Sequence, residues 1–209
     1  MRPDVEKIQR DPGYRQILEL DFNNMIPFVL SNIRRRGIIS YLYAGFNLGM
    51  IILIILYFIT GPALHQYPWT VILKQTVFGF LAGSILIIPV HELLHGLVYK
   101  VLGARKIIFG ADMKQFIFYV TADRYPVSGG ELYLLAFTPF VVINAATIVI
   151  TLVWFPQVFL FSAFVLLAHN VMCIGDFAIA NYVHQHAPRK IYNFDEPEEM
   201  KSYFYELIH

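Results

Sequence analysis

The chain has 209 residues, 57% hydrophobic and 15% charged, with a net charge of +1. Soluble domains are nearer roughly 45–50% apolar and about 25% charged, so the composition excludes an ordinary soluble core. The near-neutral balance gives no sign of a nucleic-acid partner, and a single cysteine, Cys173, excludes an intrachain disulfide.

Residues 1–36 mix Arg2, Lys7, Arg10 and Arg15 with acids and lack the pattern of a cleavable signal peptide. They read as an N-terminal arm, with 16–32 expected as a helix lying on a membrane surface. Four transmembrane helices follow, at about 38–60, 71–101, 131–154 and 158–181, each reaching the roughly 20 residues a span requires. Gly61-Pro62 and Phe155-Pro156 end the first and third. The short Pro156 link makes spans three and four an antiparallel hairpin. Gly45 and Gly49, and Gly79 and Gly83, have the spacing of close helix contacts, a pattern common in membrane helices.

Between spans two and three the character changes. Lys106 to Phe109 and Phe116 to Thr121 are β-branched and aromatic, with Gly110-Ala111-Asp112 as the expected turn. This predicts a β-hairpin over about 105–122. Residues 184–209 form a polar tail with an acidic patch from Asp195 to Glu199. The expected fold is thus an α-helical integral membrane protein in three parts: an arm (1–36), a membrane-embedded domain (37–183) and a tail (184–209).

Lys and Arg number sixteen. Seven precede the first span, including Arg34, Arg35 and Arg36; five lie from Lys100 to Arg124; three follow span four; Lys74 alone falls opposite. The positive-inside rule then puts both termini and the hairpin on the cytoplasmic side of a cell membrane.

Residues 91–95 read His-Glu-Leu-Leu-His. Positions i and i+4 share a helix face, so His91 and His95 can take one metal ion together. Glu92 sits beside it, placed as a general base for a water there. The pattern arises by chance in roughly one chain in a hundred of this length and composition. Its place inside a span is the distinguishing condition, because ionisable groups in hydrocarbon are costly and mark function.

A catalytic zinc takes three protein ligands. The acids in or at the edge of the spans are Glu92, Asp176 and Glu131. His91 precedes Lys100 by nine residues and Asp176 precedes His184 by eight, which puts them roughly 14 Å and 12 Å from the same membrane face. Matching depth selects His91, His95 and Asp176 as ligands. His169 is the rival: it shares a face with Asp176 but lies roughly 10 Å further out on a straight helix, and is otherwise a hydrogen-bonded histidine between helices. Asn144 and Asn170 are buried amides that either bind substrate backbone or cross-link helices. Pro89 either kinks the helix and opens the site to water or is a routine membrane-helix proline. His184 and His186, in the polar tail, carry no expected function.

These motifs resemble the site-2 protease class of membrane-embedded zinc metalloproteases, and most closely a small bacterial family of zincin peptidases. The resemblance rests on His91 to Gly96, the strand-forming segment after it, Thr138-Pro139-Phe140 with Asn144, and Asn170 with Gly175-Asp176. It covers roughly residues 75–182. It implies that His91, His95 and Asp176 bind one Zn²⁺, that Glu92 is the general base, and that the hairpin receives a peptide or membrane-protein substrate as an added strand. Thr138 stands where the class has glycine, and Phe177 follows Asp176 in place of the usual residue, so substrate handling differs. Another membrane zinc hydrolase, or a non-enzymatic adaptor that retains the fold, are the competing functions.

Overall fold

The computed structural model describes residues 2–60, 67–112 and 117–208. They form two compact units. A helical unit comprises Tyr41–His91 and Pro139–Ile174, and a sheet unit comprises Met1–Ser40, Glu92–Thr138 and Gly175–His209.

The long apolar segments fold as helices. Helix α3 (Ile38–Thr60) has the expected bounds. The second segment is helix α4 (Trp69–Leu81), a π-helical stretch at Ala82–Leu86 and helix α5 (Ile88–Leu102). Helix α6 (Gly129–Trp154) is the third. It starts two residues before the expected 131 because Ser128 and Glu131 form a capping box: the Glu131 carboxylate accepts from the Ser128 N–H at 2.7 Å. Three segments (Ile38–Thr60, Trp69–Leu102 and Gly129–Trp154) are long and apolar enough to cross a membrane.

The fourth expected span, 158–181, is not continuous. It divides into α7 (Phe159–Met172) and α8 (Ile174–Gln185), bent by 45° at Cys173. The pair makes a fourth crossing only if the broken segment is one span. The physical reason lies in the burial of α8: Phe177, Ala178, Tyr182 and Val183 are buried in the sheet unit, and this packing sets the direction of the helix after the break.

In the helical unit, α4 and the π-helical stretch that follows it run in the same direction as α7 and touch it through glycine. A Cβ on Gly79 would meet the Phe161 carbonyl oxygen at 2.4 Å, and one on Gly83 the Val165 carbonyl oxygen at 2.4 Å. Only glycine allows backbones this close. Gly45 and Gly49, with the same spacing, face open space. Thr151 Oγ1 donates to or accepts from Ser162 Oγ at 2.7 Å, tying α6 to α7 across the short Pro156 link.

The sheet unit departs most from expectation. Residues 16–21, read as the start of a surface helix, lie in strand β1 (Tyr14–Asp21); helix α2 begins only at Met25 and runs to Ile33. Ahead of β1, helix α1 (Val5–Arg10) is capped by Asp4, whose carboxylate accepts from the Lys7 N–H at 2.7 Å. The segment read as a polar tail forms β5 (Lys190–Glu196) and β6 (Lys201–Leu207). With β4 (Val127–Ser128) they make a four-stranded antiparallel sheet, order β1-β6-β5-β4. Arm and tail therefore share one sheet, paired from Tyr14↔Leu207 to Asp21↔Lys201 with a register shift between Gln16 and Leu18. The expected hairpin is present as β2 (Ile107–Asp112) and β3 (Ile117–Ala122). Gly110, Ala111 and Asp112 are paired strand residues, not the turn: Gly110 faces Tyr119, whose ring would lie 2.3 Å from a Cβ there. Residues 113–116, between the two strands, lie outside the described residues.

Candidate metal centre

Helix α5 carries the His-Glu-Leu-Leu-His motif, and the helix itself sets His91 one turn before His95. Its later turns anchor it: Val98 and Tyr99 share a core with Leu132 and Leu135 of α6, Tyr182 and Val183 of α8, and Phe204 of β6. That shared core brings α8 beside α5 within the sheet unit. The consequence is one contact: His95 Nε2 lies 3.4 Å from Asp176 Oδ1.

Asp176 sits in the first turn of α8, where the helix dipole and unpaired N–H groups favour a carboxylate. The break at Cys173 is what places a helix start at this point. Phe177, the residue that departs from the site-2 protease pattern, is 1% exposed and packs edge-on against Phe137 with ring centroids 5.2 Å apart. It holds the turn that presents Asp176. The His95 ring also hydrogen-bonds the Leu135 backbone, which fixes its orientation. Glu92 is partly buried, three residues before His95.

The donors fit zinc. Imidazole nitrogen and carboxylate oxygen are ordinary zinc ligands, and two of them at about 2.1 Å in tetrahedral geometry stand roughly 3.4 Å apart, the separation His95 and Asp176 show.

In the helical unit, His91 Nδ1 lies 3.1 Å from His169 Nε2. His169 is 2% exposed, and its Nε2 is also 3.5 Å from Cys173 Sγ. His169 thus stands beside His91. Cys173 joins this second grouping of donors, His91, His169 and Cys173. The sequence reading used Cys173 only to exclude a disulfide; its i+4 spacing from His169 was the signal that could have found it. Asn144 donates to Asn170 Oδ1 at 2.8 Å and to the Phe140 carbonyl at 2.8 Å, so these amides cross-link α6 and α7. The hairpin lies against the motif: a Cβ on Gly96 would meet the Phe109 ring at 3.0 Å. His186, just past the end of α8, joins its Nδ1 to the Tyr182 carbonyl at 2.7 Å.

Apolar helices that carry a histidine pair, a glutamate and an aspartate at one helix start have the donor chemistry of a zinc peptidase. The family described as "Putative zincin peptidase" matches residues 84–191, just over half of the chain, and the protein belongs to that family. Membership points to a zinc-dependent peptidase. The match covers the motif, the hairpin, α6, the break at Cys173 and Asp176. No curated protein and no solved structure matches the chain.

Proposed function

We propose that the protein is a membrane-embedded zinc peptidase of the site-2 protease type, in which His91, His95 and Asp176 hold one zinc ion and Glu92 is the general base. The contact that carries this reading is His95 against Asp176, made where a helix start presents the carboxylate. Family membership and the donor grouping support it. The charge asymmetry of the loops supports cytoplasmic termini and hairpin.

Zinc bound there supplies Lewis-acid polarisation of a peptide carbonyl and acidification of a water. The side chains do the rest. Glu92 takes the proton of the attacking water and delivers it to the leaving amine nitrogen. Asp176 and the two histidines fix the ion; the Leu135 hydrogen bond fixes His95. A helical substrate hides its carbonyls in hydrogen bonds. Strand pairing with the hairpin, which packs on Gly96 beside His95, holds a substrate segment extended.

Zinc content and peptide cleavage of the detergent-purified protein test this. The wild type is expected to hold one zinc per chain. Asp176→Ala loses it; Glu92→Gln keeps it and loses turnover by about 10²–10⁴-fold, the usual worth of a general base. Zinc retained by folded Asp176→Ala moves the third ligand elsewhere. Zinc with no cleavage of any peptide favours another hydrolase. A folded wild type without zinc makes the non-enzymatic adaptor the better reading.

A further inference from the structure

His169 lies within the apolar helical unit, 2% exposed, on the turn of α7 after the one that touches Gly83. The glycine contacts at Phe161 and Val165 hold α4 and α7 backbone to backbone, and the next turn of α7 delivers His169 to His91. The contact is between His91 Nδ1 and His169 Nε2, 3.1 Å apart with the rings inclined at 63°.

We infer that His169 is a positioning residue for the metal centre: its Nε2 accepts a hydrogen bond from His91 Nδ1–H and so commits His91 to bind metal through Nε2. The inference rests on the proposed zinc site. A neutral imidazole carries one proton on its two nitrogens. If that proton sits on Nδ1 and is held by an acceptor, the Nε2 lone pair is free for a metal; with the opposite tautomer it is not. Metal-binding histidines are ordinarily held in this way by an outer partner that fixes the tautomer and ring orientation. His95 has such a partner in the Leu135 backbone. His169 gives His91 one, and Cys173 Sγ, 3.5 Å from the same His169 Nε2, closes the chain of contacts. The alternative, that His91, His169 and Cys173 hold a metal of their own, would engage His91 Nδ1 as a ligand. His91 would then have to serve two ions as a deprotonated bridge or leave the first site.

The test measures zinc stoichiometry and zinc affinity, by competition with a chromogenic chelator, in the full-length detergent-purified protein. His169→Leu and His169→Phe remove the acceptor, without and with an aromatic ring; His169→Gln returns one in its side-chain carbonyl. Both apolar variants are expected to keep one zinc per chain with affinity about 10–100-fold weaker, and His169→Gln to recover most of the loss. Apolar variants that lose zinc altogether, as Asp176→Ala does, would make His169 a ligand. Two metals per wild-type chain, falling to one in the variants, would make the trio a second metal site. Variants at wild-type affinity, or a Gln variant no better than Leu, would leave His169 a packing residue. Each of these results overturns the inference while the zinc site stands. A wild type that holds no zinc overturns both.

Discussion

The helical unit and the sheet unit bury their backbones by opposite means. In the helical unit the helices satisfy their own hydrogen bonds and turn large apolar side chains outward: Ile59 and Leu86 are 71% exposed. Contacts between helices fall to small residues, Gly79 and Gly83 against the α7 backbone. In the sheet unit the strands need one another for hydrogen bonds and turn aromatic side chains inward; Phe194 is 1% exposed and Phe204 2%. The first pattern suits a surrounding of lipid, where outward apolar surface costs nothing and close packing drives association. The second suits a surrounding of water, where removal of apolar area from solvent drives the packing. Along the chain, a segment of the helical unit ends at His91 and a segment of the sheet unit begins at Glu92.

The largest effect that sharpens this comparison is expected at the glycines. Gly83→Leu would push a side chain into the Val165 backbone, 2.4 Å from the first added carbon. A backbone atom cannot swing aside as a side-chain tip can. The expected loss is about 3 kcal/mol, the upper range for overpacking, read as a lowered midpoint of thermal unfolding in detergent. Gly45→Leu, into open space, is expected to leave the midpoint unchanged. Equal effects at both would mean that spacing alone, without contact, sets the role of these glycines.

The same contrast explains what was legible in the sequence. Hydropathy located α3 to the residue and the second and third segments within two residues, because apolar run length is a local property. The hairpin was legible from its β-branched and aromatic residues. The outer sheet was not. Strand β6 reads Lys-Ser-Tyr-Phe-Tyr-Glu-Leu, with charges at both ends and an acidic patch ahead of it, and its pairing partner β1 lies nearly two hundred residues away in sequence. Nothing local says that such a segment will pair. The break at Cys173 was likewise hidden, because it follows from how Phe177 and Val183 bury. His169, placed by straight-helix spacing well away from Asp176, lies in contact with His91, a neighbour that depends on the glycine packing of α7. At the site, spacing set the two histidines on one helix face, and the depth argument anticipated that Asp176 would lie near the motif, as its 3.4 Å approach to His95 shows. The approach of His169 to His91, which brings Cys173 into the same group of donors, joins residues far apart in sequence and was not legible there.

A smaller effect belongs to the sheet unit alone. Glu206 is buried in β6, its side chain 4% exposed. Its carboxylate accepts from Arg15 Nε at 2.7 Å and from Arg189 Nη1 at 2.8 Å. Burial pushes this carboxyl up, and the hydrogen bonds and charges of the two arginines more than reverse it, so its pKa lies below the ordinary glutamate value. A lowered carboxyl pKa contributes stability above the unfolded value, near 4.3, that is lost as pH falls through the folded one. Both arginines are largely exposed, so the pairs are screened, and Glu206→Gln is expected to cost about 1 kcal/mol at pH 7. The difference from wild type should shrink below about pH 4 and also in high salt. A difference that persists in acid would assign the loss to packing rather than to charge.

Asp195, on the neighbouring strand β5, has the opposite sign. Burial pushes its carboxyl above the ordinary value, and hydrogen bonds from Ser202 and from Thr121 Oγ1, the latter at 2.5 Å, offset this only in part. A raised carboxyl pKa favours the fold while the group is protonated. That contribution is complete below the unfolded value, near 3.9, and is lost as pH rises through the folded one. Asp195→Asn keeps a carbonyl oxygen for Thr121 and removes the charge. The variant is therefore expected to match wild type at about pH 4 and to be the more stable of the two by pH 8, by a small margin. The two carboxylates of one sheet then move the acid and alkaline limbs of the stability profile in opposite directions, whereas the Gly83→Leu effect, which involves no ionisable group, should be the same at every pH. An Asp195→Asn protein less stable than wild type at pH 8 would mean that the hydrogen bonds of the ionised carboxylate outweigh the cost of burying it.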